Sequence, residues 1–207
     1  MSTKVFISWS GELSKQVAAL LKKWLPSVIQ DIDPFFSRTD ISKGGKGLDL
    51  VLENMRDSKI AISCLTKCNK EKPWIEFEAG FLDGLKVPVC GFLINISDQE
   101  INYPMKQFQL TVPEKDDMFN LLKTLNSCCI NPISEDRLRS EFNDKWRKFL
   151  TAFNNIHSST NEPISNEDQI ENLTQKINDL QEKLNISQAV NDSLREELNK
   201  PRPAVYS

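Results

Sequence analysis

The sequence predicts an α/β protein: a parallel sheet with helices on both faces, followed by one more helix and a coiled coil. Three observations predict it. Short β-rich runs alternate with stretches of helical period, the pattern of strands joined by crossover helices. A separate amphipathic stretch follows, and then apolar residues recur in steps of three and four. At 207 residues the chain holds one domain of ordinary size plus an extension.

The elements follow in order. "KVFISWS" is a short run, apolar enough for a strand buried on both faces. "GELSKQVAALLKKWLP" sets Leu13, Val17, Leu20, Leu21 and Trp24 at helical spacing, and Pro26 is expected to end that helix. "IQDIDPFFS" is a weaker strand. "GLDLVLENMRDS" is a helix with Leu48, Val51, Leu52 and Met55 on one side. "KIAISCLT" is the clearest strand, and "KPWIEFEAGFLDGL" the helix after it, with Pro73 suited to its first turn. "VPVCGFLI" and the short edge strand "FQLTV" come next, and "DDMFNLLKTLN" is the closing helix.

The C-terminal part reads differently. "EDRLRSEFNDKWRKFLTAFNNI" carries Leu138, Phe142, Trp146, Phe149 and Phe153 as a helical stripe. Beyond a Ser/Asn/Pro-rich linker, Ile170, Leu173, Ile177, Leu180 and Leu184 set a heptad register that Leu194 and Leu198 resume. Ser187 and Asn191 take the core positions between them. They are either a weak spot in a helix or, through Asn191, a device for a parallel dimer in fixed register. Self-association and packing back on the domain both stay open. The predicted organisation is a domain over 1–133, an accessory helix over 134–156, a linker over 157–166, a coiled coil over 167–200 and a tail over 201–207.

Composition narrows the chemistry. A net charge of −3 is mild and mixed, which argues against a dedicated nucleic-acid binder. No run approaches the length of a membrane span, and no signal-peptide core precedes the first strand. Five cysteines without paired CxxC spacing read as reduced thiols of a cytoplasmic protein. The single histidine, His157, falls in the linker stretch. Ser-His-Asp and Cys-His nucleophile systems are thereby excluded, as is an HExxH zinc site. Catalysis would have to use carboxylates, hydroxyls, amides or thiols.

Two stretches invite a functional reading. "KGGKG" suggests a phosphate loop, but a P-loop needs Ser or Thr after GK, and here Gly47 follows Lys46. It reads instead as a glycine loop joining strand to helix, able to close over a ligand. The second stretch is "KPWIEFEAGFLDGL". At about 100° per residue, Trp74, Phe77, Phe81, Leu82 and Leu85 share an apolar face, and Glu76 and Asp83 lie opposite. Glu78 falls roughly 40° from Trp74, inside the apolar arc. Such a carboxylate either caps a loop or pairs with a cation, or it serves as a catalytic acid in a cleft.

"KVFISWS", "FFSRTDISKGGKG" and "SKIAISCLTKCNKEKPWIEFEAGFL", taken in that order, resemble a Toll/interleukin-1 receptor (TIR) domain of the bacterial type. The resemblance covers residues 3–127 and implies a flavodoxin-like α/β fold. It makes Trp74 and Glu78 the ends of the family's WxxxE segment, whose glutamate cleaves NAD+ in enzymatically active members. Ser8, Trp9, Phe36, Ser37, Arg38 and Asp40 would then wall the substrate pocket beside Trp74. Arg38 would face the pyrophosphate or pair with Asp40. Trp9 departs from the tyrosine or smaller residue common there, and "TKCNKEKPW" is unusually cationic.

NAD+ would be the substrate, with no further cofactor and no metal, and the products nicotinamide and ADP-ribose or a cyclic isomer of it. The resemblance further implies a cytoplasmic homo-oligomer formed through TIR contacts and the coiled coil. It also implies antiphage defence and a downstream effector that reads a nucleotide product. Two rivals remain: a non-catalytic TIR scaffold that assembles through its BB loop and coiled coil, and a nucleoside-cleaving enzyme like the deoxyribosyltransferases.

Overall fold

The computed structural model describes residues 2–36 and 46–159. The predicted coiled coil and tail, most of the linker, and Ser37, Arg38 and Asp40 lie outside the described residues.

Five strands form one parallel sheet: β1 (Thr3–Ser8), β2 (Ile32–Phe36), β3 (Ile60–Leu65), β4 (Val89–Leu93) and β5 (Gln109–Thr111). Their order is β2-β1-β3-β4-β5, as in a flavodoxin-like fold. The helices are α1 (Glu12–Val28), α2 (Lys46–Asp57), α3 (Pro73–Gly84), α4 (Lys115–Ser127) and α5 (Glu135–Ser159).

Strand alternation decides which helix each side chain meets. Val5 and Ile7 of β1, Ile62 and Cys64 of β3, and Phe92 of β4 pack in one core with α1, α4 and α5. Phe6, Ala61, Leu65 and Leu93 face the other way, into a core with α2 and α3. β3 is buried at every position because it has strands on both sides and helices on both faces. β2 tolerates Pro34 because it is an edge strand, with β1 as its one partner.

Pro26 does not end its helix. α1 continues through it to Val28, and the Ile29 N–H closes the last turn on the Leu25 carbonyl at 2.9 Å. Proline removes one donor near the helix end, whereas burying Leu25, Val28 and Ile29 holds that turn against the core.

The stripe on α5 packs as its spacing predicts. Leu138, Phe142, Phe149 and Phe153 are buried, with Trp146 half-buried beside them. The Phe149 ring centroid lies 4.5 Å from that of Trp24 on α1. α5 also runs past residue 156 to Ser159, which puts the backbone of His157 in its last turn.

None of the five cysteines is in a disulfide. Burial pushes the Cys64 thiol up, and pushes those of Cys90 and Cys129 up to about 11. These thiols are neutral at pH 8, and the thiolate is the form that reacts. Iodoacetamide should therefore modify the exposed Cys68 first and the half-buried Cys128 more slowly. Cys64, Cys90 and Cys129 should react only on unfolding, which peptide mass spectrometry reads directly. Rapid native modification of Cys64 would contradict this packing.

Candidate functional site

Two neighbouring strands at the middle of the sheet send the chain in opposite directions. From β1 it crosses to β2 on one side, and from β3 to β4 on the other. The crevice beyond the carboxyl ends of β1 and β3 is thus the topological switch point, where open α/β sheets bind ligands. Ser8 ends β1 and lies in register with Ser63 of β3. Both are buried and occupy the α3 face, since they alternate with the α1-side residues Ile7 and Cys64. Gly11, φ +89°, makes the turn from this strand into α1, a conformation that costs a residue with a side chain about 1–3 kcal/mol.

α3 starts at Pro73, whose missing donor is harmless in a first turn. The helix is rotated from the orientation its apolar residues suggest. Ile75, Glu78, Ala79 and Leu82 are the buried ones, an arc from roughly 40° to 140° on the wheel that starts at Trp74. Trp74 and Phe81 are half-buried, while Phe77 and Leu85 are 44% and 43% exposed. Ala79 carries only a methyl and lets the helix lie close to the sheet, where phenyl rings would hold it off. The rings lie tilted against one another at the edge of that core, Trp74 and Phe77 at 5.2 Å and Phe77 and Phe81 at 6.0 Å. Glu78 therefore belongs to the sheet-facing arc rather than to the fringe of an aromatic face, and none of its surface is exposed.

Both carboxylate oxygens of Glu78 accept hydrogen bonds. The Ser8 hydroxyl donates to Oε2, and the Trp74 indole N–H donates to Oε1 at 2.8 Å. Three of the residues expected at the site thus come together, although Ser8 and Glu78 are 70 positions apart. Burial of a carboxylate costs several kcal/mol unless such partners offset it.

Trp9 and Phe36 go elsewhere. Trp9 follows Ser8 directly, so alternation turns it to the opposite face, into the α1-side core. Its ring lies 5.1 Å from that of Phe36, and the Lys15 ammonium sits 5.6 Å from its centroid. The cationic loop before α3 is also partly committed. Lys70 donates to the Glu100 carbonyl at 2.6 Å and stands 3.4 Å from the Glu71 carboxylate.

Asn69 is the residue that sequence reasoning missed. Its side chain is buried and bridges both strand ends. Nδ2 donates to the Ser10 and Cys64 carbonyls, each at 2.9 Å, and Oδ1 accepts from the Thr66 N–H at 2.7 Å. The loop after β1 is thereby tied to the loop that launches α3. The one signal was an Asn within four residues of a strand end, a common turn residue. Asn69→Ala would strip partners from three backbone groups, at about 1–3 kcal/mol for each that stays buried and unsatisfied. A lower urea midpoint is the expected result, and an unchanged midpoint would mean the clamp contributes nothing.

No family model matches the chain, and no curated protein is significantly similar to it. Among the described residues no group of three or more His, Cys, Asp or Glu is placed to hold a metal ion, and no helix is long and apolar enough to cross a membrane. A buried carboxylate with donors on both oxygens, at a switch-point crevice, can hold hydroxyl groups and stabilise a developing positive charge. It carries no partner base of the Ser-His-Asp kind, because the only histidine is on the last turn of α5.

Proposed function

We propose that the protein is a TIR-type enzyme that cleaves NAD+, releasing nicotinamide and leaving ADP-ribose or a cyclic isomer. The observation that carries this reading is Glu78: fully buried at the switch point, yet held as a hydrogen-bond acceptor by Ser8 and Trp74. A purely structural carboxylate there is a liability, because replacing it with a packed apolar residue is often neutral or stabilising.

The reaction suits one carboxylate and no histidine. Most glycosidases need two, one of them to protonate the leaving oxygen. The nicotinamide of NAD+ is already cationic. When its bond to the ribose carbon breaks, the electron pair goes to the ring nitrogen and the base departs neutral. Glu78 would accept hydrogen bonds from the ribose hydroxyls and stabilise the oxocarbenium-like centre. Water then adds at that carbon and loses a proton, or a nucleophile of the same ADP-ribosyl group closes a ring.

By the resemblance, Ser37, Arg38 and Asp40 would form one side of the pocket, with Arg38 facing the pyrophosphate or paired with Asp40. The resemblance also adds a cytoplasmic homo-oligomer built through TIR contacts and the coiled coil, antiphage defence by NAD+ depletion, and an effector that reads a nucleotide product.

A second reading has its own observation. Phe77, Leu85 and Leu50 are large apolar residues on the surfaces of α3 and α2, and they suit a scaffold that signals through contacts alone. Nicotinamide release by the concentrated full-length protein separates the two, with product chromatography distinguishing hydrolysis from cyclisation. Release that depends on Glu78 supports the enzyme. No release from protein forced to assemble favours the scaffold.

A further inference from the structure

The helices across the sheet from Glu78 enclose a space that NAD+ cleavage does not use. Between α1 and α5 lies a groove of about 520 Å³. Leu20 and Trp24 of α1 line it against Phe149 and Ala152 of α5. Ala152 keeps it open, because a methyl leaves the room that a leucine or phenylalanine would fill. The groove runs for two helical turns, about 10–12 Å, from Leu20 to Ser27 on one wall and from Asp144 to Ala152 on the other.

Its rim carries positive charge that the protein leaves unmatched. Lys23 of α1 and Lys148 of α5 are exposed on opposite walls, and neither forms an ion pair among the described residues. Lys145 is already taken, by Glu141 and by Asp144 at 3.7 Å. Trp24 adds a donor without an acceptor. Its indole N–H is buried and has no hydrogen-bond partner, whereas buried side-chain donors are as a rule satisfied. The volume is that of a small-molecule site, for which roughly 300–1,000 Å³ is usual. Two turns are short for a protein partner, whose stable interfaces bury about 1,200 Å² or more.

We infer that the groove between α1 and α5 binds a small anionic amphiphile, of which a medium-chain carboxylate is the simplest. The chain lies along Leu20, Trp24, Phe149 and Ala152 and gains affinity by leaving water. The carboxylate stands at the rim, where Lys23 and Lys148 select its charge. Exposed ion pairs are weak one by one, so the lysines set the preference for an anion and the apolar lining sets most of the affinity. Glu78 faces α3 on the other side of the sheet, so this site is independent of the NADase reading.

Calorimetric titration of the full-length protein with octanoate tests the site against octan-1-ol, equal in chain but uncharged. Octanoate should bind about tenfold more tightly, the scale of two exposed ion pairs together. Lys23→Gln combined with Lys148→Gln should cancel that preference and leave octan-1-ol binding as it was. Both side chains are exposed, so the fold is spared. Ala152→Phe fills the groove and should abolish binding of either compound, with its thermal midpoint measured alongside to show that it folds. Were it not to fold, the lysine pair decides alone. Any of four results overturns the site: no octanoate bound by the unaltered protein, equal affinity for the two compounds, a preference that survives the double lysine substitution, or undiminished binding by folded Ala152→Phe.

Discussion

Glu78→Gln is expected to lower nicotinamide release by at least ~10²–10³-fold, the scale of losing a main electrostatic stabiliser of a transition state. The substitution is informative because glutamine has the same shape and can keep both of the hydrogen bonds to Ser8 and Trp74. The amide oxygen accepts from the Trp74 indole as Oε1 does now, and the Ser8 hydroxyl turns round to accept from the amide nitrogen. The side-chain shape and these two hydrogen bonds survive while the charge is lost. Stability should therefore hold or rise, since the burial cost of a carboxylate is removed with it. Thermal denaturation beside the activity assay reads both. Glu76→Gln, at a half-buried position on the same helix, should change neither. Full activity in Glu78→Gln would remove the catalytic assignment, whereas a severe loss of stability would make Glu78 a structural anchor.

Phe149→Ala should be the most damaging core substitution on α5, at about 3–5 kcal/mol. Phe149 is almost wholly buried and sits among Trp24 at 4.5 Å, Trp146 at 5.7 Å and Phe153 at 6.1 Å. Its cluster is continuous with the sheet through Phe92, which meets Phe153 edge-on at 6.2 Å. The loss should thus appear as one cooperative denaturant transition moved to lower concentration, not as early melting of a single helix. Leu50→Ala, at an exposed position, gives the reference for truncating a large apolar residue outside the core. A separate early transition would make α5 an appendage instead of a wall of the domain.

Neither the rotation of α3 nor the Asn69 clamp was visible along the chain, for related reasons. Hydrophobic period recorded that α3 is a helix, but α3 carries two apolar faces. A wheel weights them by size, so the aromatic face of Trp74, Phe77 and Phe81 outranked that of Ile75, Ala79 and Leu82. Which face turns inward depends on how closely the sheet can approach. That favours the small residue, Ala79, and carries Glu78 in with it. Asn69 was hidden because its partners are backbone groups, two carbonyls and one N–H, which have no signature in sequence. The separation of Trp9 from Ser8 could have been read, since neighbours on a strand point to opposite faces.

By itself the sequence determined which segments are strands and helices, and in what order. It determined the buried stripe of α5 and the presence of a carboxylate within an apolar helix, because period and residue type are local properties. Tertiary structure alone decided the strand order, the rotation of α3, the continuation of α1 through Pro26, and the meeting of Ser8, Trp74 and Glu78. Each of those is settled by packing between segments far apart in the chain, where close contact and the partnering of buried polar groups outweigh what any one segment prefers.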